Sequence, residues 1–211
     1  MNRKFLFYSI CVLMIFSQSL FAQIDLEKRI LRDIKNLRSH IETNQRAFAR
    51  NDLIRIGSLT VPFLIRAMES DKYMFVRIES TFILGKIKDK RAVPVLVNQL
   101  KSSKNANLQK ACAIALVDIG GERASQAVEE SLIYLPPTSK IQVIDALIRQ
   151  NDKRGLAVLV AMLRDVDQRI RKMAAQVLAK TEEPILLEQL RIREKEEEDE
   201  DVKEYIKKLL E

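Results

Sequence analysis

Residues 76–100 read VRIESTFILGKIKDKRAVPVLVNQL, and this stretch decides the fold. Val76, Ser80, Ile83, Leu84 and Ile87 recur at the spacing of one helix face. Pro94 then opens a second apolar stripe that ends on Leu100; near the start of a helix a missing N–H costs little and the ring presets φ. The segment therefore predicts a helix A, a tight turn and a helix B. Its frame returns in LQKACAIAL at 108–116, IRKMAAQVL at 170–178 and VKEYIKKLL at 202–210. Each has a branched apolar residue, then a basic residue or Gln109, and a Leu eight positions after the first. Laid end to end, the anchors are Leu53, Leu84, Leu116, Leu147, Leu178 and Leu210, spaced 31, 32, 31, 31 and 32 residues apart. A second anchor follows in each unit: Met68, Leu100, Leu132, Leu163 and Leu190. Six anchors in phase establish a tandem repeat.

Composition agrees. The 211 residues include only five Gly, five Pro, one His, two Cys and no Trp, against 47% hydrophobic residues. The apolar fraction is high enough to bury a core, while β-rich folds need many Gly and Pro turns. Gly57 and Gly120 stand four residues past their Leu anchors, where a helix end takes a left-handed residue. Pro62, Pro94 and Pro184 stand near the start of helix B, and Pro136-Pro137 stops one helix and starts the next near Thr138. Gly85 alone lies inside a helix A. Neither GxGxxG nor a P-loop occurs, and a single His excludes multi-His metal sites.

The stretches at 76–100 and 170–179 resemble HEAT repeats, in particular the short bacterial HEAT-like repeats of phycobilisome lyase subunits. The family pattern is roughly V-R-x-x-A-A-x-A-L-G, a short turn, then A-V-P-x-L, and the resemblance covers about 45–211. It implies an all-α, right-handed α-solenoid of tandem helix-turn-helix repeats with helix B on the concave face. Ser139 departs from the pattern at a first anchor and Gln126 and Ala157 at the Pro position, and the turn after Leu178 is shorter. Distortion is expected in those units.

The ends differ from the array. Residues 1–22 carry Arg3 and Lys4, an apolar run from Phe5 to Phe16, and Ala22 after Leu20-Phe21. This is the layout of a secretory signal peptide, with an uncleaved membrane anchor as the alternative; the twelve residues, interrupted only by Tyr8 and Ser9, span about 18 Å, short of the ~30 Å hydrocarbon core. The expected division is a signal peptide at 1–22, a capping helix at 23–44, the array at 45–193, and an acidic segment with a C-terminal capping helix at 194–211. The expected location is the periplasm or the cell exterior, with no stable membrane insertion after cleavage. Leu26, Ile30, Ile34, Leu37 and Ile41 form the inner face of the first cap. Cleavage leaves Cys112 alone, so no internal disulfide forms, and its place on a small-residue position of helix A reads as a buried, inert thiol.

Net charge is +7, divided into +2 at 1–22, +10 at 23–193 and −5 at 194–211. The body would steer acidic partners toward the array, or the acidic tail would fold back and screen it. The run Glu194 to Asp201 reads as a solvated helix or linker. Arg77, Lys140, Arg171 and Lys203 share the slot after the first anchor; in HEAT-like families this slot often holds an Arg that bridges repeats. Phe63, Val95, Ala127, Val158 and Ile185 follow the Pro-equivalent position in five successive units. They line either an exposed groove for a peptide or the seam between repeats. Tyr73, Met74 and Phe75 form an aromatic cluster in a linker, as a binding anchor or as a half-buried clamp. His40 reads as a surface residue.

No acid–base or nucleophile arrangement emerges, and no catalytic, cofactor or metal residue is expected. The leading function is a non-catalytic protein–protein interaction scaffold or adaptor of the cell envelope, with a protein partner and no nucleic acid. One alternative is an anionic envelope polymer or glycolipid bound by the basic body. Another is a lyase-type accessory enzyme, implied by the resemblance; the deoxyhypusine hydroxylase type lacks its paired His-Glu motifs here, and lyase work on antenna proteins conflicts with export.

Overall fold

The computed structural model describes residues 3–38, 43–181 and 183–211, with the backbone alone at 3–17, 19 and 43. His40, Ile41 and Glu182 lie outside the described residues. Everything regular is helical: α1 Arg3–Asn36, α2 Thr43–Ile56, α3 Val61–Ser70, α4 Met74–Ile87, α5 Val93–Ser102, α6 Ala106–Ile119, α7 Glu122–Tyr134, α8 Pro137–Arg149, α9 Leu156–Met162, α10 Gln168–Ala179, α11 Pro184–Glu196 and α12 Glu200–Leu210. From α2 onward they alternate as helices A and B, the order of an α-solenoid. The chain divides into two units, Met1–Ile83 and Leu84–Glu211, with the division inside α4. Among the described residues no helix is long and apolar enough to cross a membrane.

The anchors are the core. Leu53, Leu84, Leu116, Leu147 and Leu178 are buried, as are Met68, Leu100, Leu132, Leu163 and Leu190. The first anchors Val76, Leu108, Ser139, Ile170 and Val202 are buried too. Leu210 is only half-buried, because α12 meets α10 and α11 through Val202 and Ile206 rather than through its last turn. Cys112 is buried on α6. Among the irregular units, α9 is the short one, with seven residues. Gln126 falls inside α7, which starts at Glu122 from a Gly-Gly turn rather than from a Pro.

In the first unit α1 packs on α2 and α3. Ile30, Ile34 and Leu37 are buried there and Leu26 is half-buried. Arg29 clamps Asp52 with two hydrogen bonds, 2.7 Å and 2.6 Å, and Arg55 adds a third at 2.7 Å. These donors, Arg29 first, hold the buried Asp52 carboxyl well below its ordinary value. Burial and the neighbouring Asp52 push the Asp33 carboxyl up.

In the second unit α6 packs on α5, α7 and α8, and α10 on α8, α9, α11 and α12. Gly85 is placed by this packing. A Cβ there would lie 2.9 Å from the Ala115 Cα, so the helix approach leaves room for hydrogen alone.

The joints from helix B to helix A share one construction. Asp71, Ser103, Leu135 and Glu197 all adopt extended backbone, with φ between −72° and −62° and ψ between 126° and 146°. At Asp71, Ser103 and Glu197 the side chain accepts the backbone N–H two residues on, and Asp165 does the same in the fourth repeat. Leu135 has no acceptor to offer, and the residue two on is Pro137, which has no N–H to satisfy. Five or six residues further, the slot residue of helix A reaches back to the end of helix B. Arg77 donates to the Met68 carbonyl (2.7 Å), Gln109 to Leu100 (3.2 Å), Lys140 to Ile133 (3.1 Å) and Arg171 to Asp165 (2.9 Å). The Met68, Leu100 and Ile133 carbonyls lie in the last turn of a helix and lack intrahelical donors, so a cation or amide there caps the end and meets the negative end of the dipole, while the Asp165 carbonyl lies in the linker after α9. Lys203 instead lies 3.9 Å from Glu200.

Where the residue four positions after the Leu anchor is described, the turns from helix A to helix B share only residues of positive φ at that position. These are Gly57 (φ 73°), Lys88 (59°), Gly120 (71°) and Asn151 (58°). Two of them continue into Asp89-Lys90-Arg91 and Asp152-Lys153-Arg154. In both, the Asp accepts the backbone N–H and the guanidinium of the Arg two residues on.

Candidate interaction surface

The first unit carries a row of cation–aromatic contacts. Arg38 lies 5.2 Å from the Tyr73 ring centre, Arg46 4.9 Å from Phe75 and Arg50 5.3 Å from Phe82, while Lys72 covers Tyr73 at 4.8 Å. Asp71 fixes the first of these by accepting both from Arg38 (2.6 Å) and from the Tyr73 N–H (2.9 Å). Glu79 fixes the third by accepting from Arg50 (2.8 Å). Of the expected linker cluster only Tyr73 lies in the linker, while Met74 and Phe75 open α4; both rings are held by basic residues and remain exposed, as does Phe82. Phe82 and its arginines escape a reading of the linker alone. Their spacing is a usable signal: Arg46 and Arg50 stand four apart on α2, Phe75 and Phe82 seven apart on α4, each a helix-face interval.

Beside this row, α1 and α3 enclose a groove of about 390 Å³. Leu31, Ile34, Phe63 and Ala67 give it an apolar floor, and Lys35, Arg38, Arg66 and Lys72 line it with positive charge.

The five residues after the Pro-equivalent position do not share one environment. Phe63, Val95 and Val158 are half-buried, Ala127 is buried, and Ile185 is 70% exposed. The fully buried row is the next one: Leu64, Leu96, Val128, Leu159 and Leu186. Each precedes its second anchor by four residues and shares its face; the candidate row precedes it by five and is rotated about 140° away. The later row is buried throughout, whereas the candidate row is buried only at Ala127.

In the second unit a cleft of about 400 Å³ surrounds the Gly120-Gly121 turn, with Lys88, Asp118, Gln150, Asp152 and Arg154 among its lining. Here charges are tied between neighbouring repeats: Lys86 to Asp118 (2.9 Å), Lys101 to Glu130 (2.8 Å), Lys153 to Glu183 (2.8 Å) and Arg164 to Glu196 (2.9 Å).

The acidic run is not wholly solvated. Glu197 is buried and accepts two hydrogen bonds from Arg171, both 3.0 Å, one from Arg193 (2.8 Å) and one from the Asp199 N–H (3.2 Å). Burial opposes its charge, but these donors outweigh burial and leave the carboxyl below its ordinary value. Glu200 and Asp201 occupy the first turn of α12, where negative charge meets the helix dipole favourably.

Comparison with known proteins places this geometry. The complex of CpcE and CpcF of phycocyanin lyase from Nostoc sp. PCC7120 shares 20% identity at a TM-score of 0.50, over 82% of this chain and 73% of that one. Human deoxyhypusine hydroxylase in complex with glycerol shares 16% identity at a TM-score of 0.38, over 90% of this chain and 97% of that one. An engineered protein shares 19% identity at a TM-score of 0.37, over 86% and 94%. The likeness to the phycocyanin lyase complex, at this identity, is one of fold. No curated protein matches the chain. The family model for HEAT repeats matches residues 61–134 and 135–210. With most of its length so matched and its helices paired in that register, the chain belongs to the HEAT-repeat family.

Proposed function

We infer that this chain is a non-catalytic protein–protein interaction scaffold or adaptor of the cell envelope. The observation that supports it best is the division of labour within each repeat. The rows four residues apart, such as Leu64 with Met68 and Leu96 with Leu100, close the core. The arginine–aromatic row and the α1–α3 groove lie outside that core, available to a partner. The envelope assignment rests on the signal-like composition of residues 1–22. Pull-down of tagged full-length protein from envelope extract is expected to retain a discrete protein partner, and the mature chain to begin at Gln23. Finding no partner, together with turnover of a small molecule, overturns the reading.

Binding of an anionic polymer or glycolipid draws support from the +10 body. The inter-repeat ion pairs weaken that support, because they engage many of the cations already. A lyase-type activity draws only on family resemblance.

A further inference from the structure

The α1–α3 groove carries a cation at the place where the third repeat supplies an acid. Two residues before its second anchor, the third repeat carries Glu130, which receives Lys101 of the repeat before it. The first repeat carries Arg66 at this position, two residues before Met68. Across the groove α1 presents Lys35, and the turn after it presents Arg38, instead of a carboxylate. Arg38 is paired with Asp71, but among the described residues neither Lys35 nor Arg66 has an ion-pair partner. Between these cations lies apolar surface, with Leu31 54% exposed and Phe63 half-buried. A site with an apolar floor and four cations against the single carboxylate of Asp71, which is taken up by Arg38, fits a ligand that is apolar on one face and acidic on its flanks.

We propose that the α1–α3 groove docks an acidic amphipathic helical segment of a partner protein. Apolar side chains of the segment cover Leu31 and Phe63, and its carboxylates pair with Lys35 and Arg66. Those carboxylates supply the ion pairing that Glu130 provides within the array. Apolar contact gives affinity, while the rim charges set orientation, rate and salt dependence. This rests on the scaffold reading and names the chemistry of its partner.

The test uses the full chain purified from the cell envelope and three labelled model helices, read by fluorescence anisotropy. One has a Leu stripe at i, i+3, i+4 and i+7 with Glu flanks; the second has Lys flanks; the third has the first one's composition with the stripe scrambled. The Glu-flanked striped helix alone is expected to bind, at least tenfold more weakly on Lys35→Glu/Arg66→Glu and several-fold more weakly at ~200 mM salt. The neutral variant Lys35→Gln/Arg66→Gln should fall between, and the circular dichroism melts of both variants should match the parent. Equal binding of the scrambled helix, or unchanged binding on both variants, overturns the proposal. So does binding of phosphatidylglycerol vesicles, but not the helix, through Lys35 and Arg66, which would mark a membrane surface. A partner captured in cells and kept by the charge-reversed protein overturns the groove but not the scaffold. If neither protein captures a partner while the model helix still binds, the scaffold reading fails and the groove's chemistry stands.

Discussion

The joints from helix B to helix A and those from helix A to helix B recur equally often and are built by different rules. At the B-to-A joints the side chains do the work: an acceptor on the extended residue, then a donor on the next helix that caps the one before. At the A-to-B joints the backbone does it, and the only constant, where that residue is described, is positive φ four positions after the Leu anchor. The first rule demands particular functional groups and meets them with Asp, Ser or Glu as acceptor and Arg, Gln or Lys as donor. The second demands a conformation, and Gly, Lys or Asn fills it in different repeats. Specificity of chemistry thus marks one edge of the array, and tolerance marks the other.

The comparison is sharpest at Glu197, where the acceptor of a B-to-A joint is also the centre of a buried ion cluster. Glu197→Ala leaves Arg171 and Arg193 without it and should cost about 3–5 kcal/mol in urea unfolding. Because the folded carboxyl titrates below its unfolded value, its stabilisation is complete above the ordinary range near ~4.3 and is lost as pH falls through the lower folded value. The advantage of the parent over Glu197→Gln should therefore vanish in acid. Leu84→Ala, in the core that both kinds of joint serve, should cost about 2–5 kcal/mol; a change near zero would mean the repeat frame is wrong.

Arg77→Ala removes one charged donor from a helix end and should cost about 1.5–3 kcal/mol, with Arg77→Gln recovering part, since Gln109 already serves this role one repeat on. At the other edge, Gly120→Ala should cost about 1–3 kcal/mol by placing a Cβ on backbone at φ 71° and ψ −171°, a region essentially confined to Gly, although nothing lies within 4 Å of it. Lys88→Gly should stabilise by up to about 1 kcal/mol, and Asn151→Gly by less, because Asn tolerates this conformation. If Lys88→Gly destabilises, its side chain contributes and the rule of pure conformation fails.

Much of this was legible in the sequence. Leu anchors at intervals of 31 and 32 residues give helix number, helix order and core, because burial imposes a period that nothing else on the chain imitates. Gly57 and Gly120 announce their turns. Lys88 does not, since lysine carries no mark of left-handed backbone. Glu197 is hidden in a run of acids, and only the approach of Arg171 from another helix distinguishes it. The row from Phe63 to Ile185 stands one residue, about 100°, from the row that is buried throughout, a distinction that the i, i+4 relation to the second anchor makes. The α1–α3 groove depends on which helices become neighbours, which periodicity within each helix does not encode.

The back-reaching slot residues give the chain a grain. Helices α3, α5 and α7 depend on the following helix A to close a late carbonyl, whereas helix A asks nothing comparable of the helix B that precedes it. A cut at a B-to-A joint is therefore unequal: the upstream piece is left with open acceptors and a frayed end, and the downstream piece keeps its hydrogen bonds and merely has a donor to spare. Wear, whether by proteolysis or by pulling, should run backward from the carboxyl side of a break, one helix pair at a time.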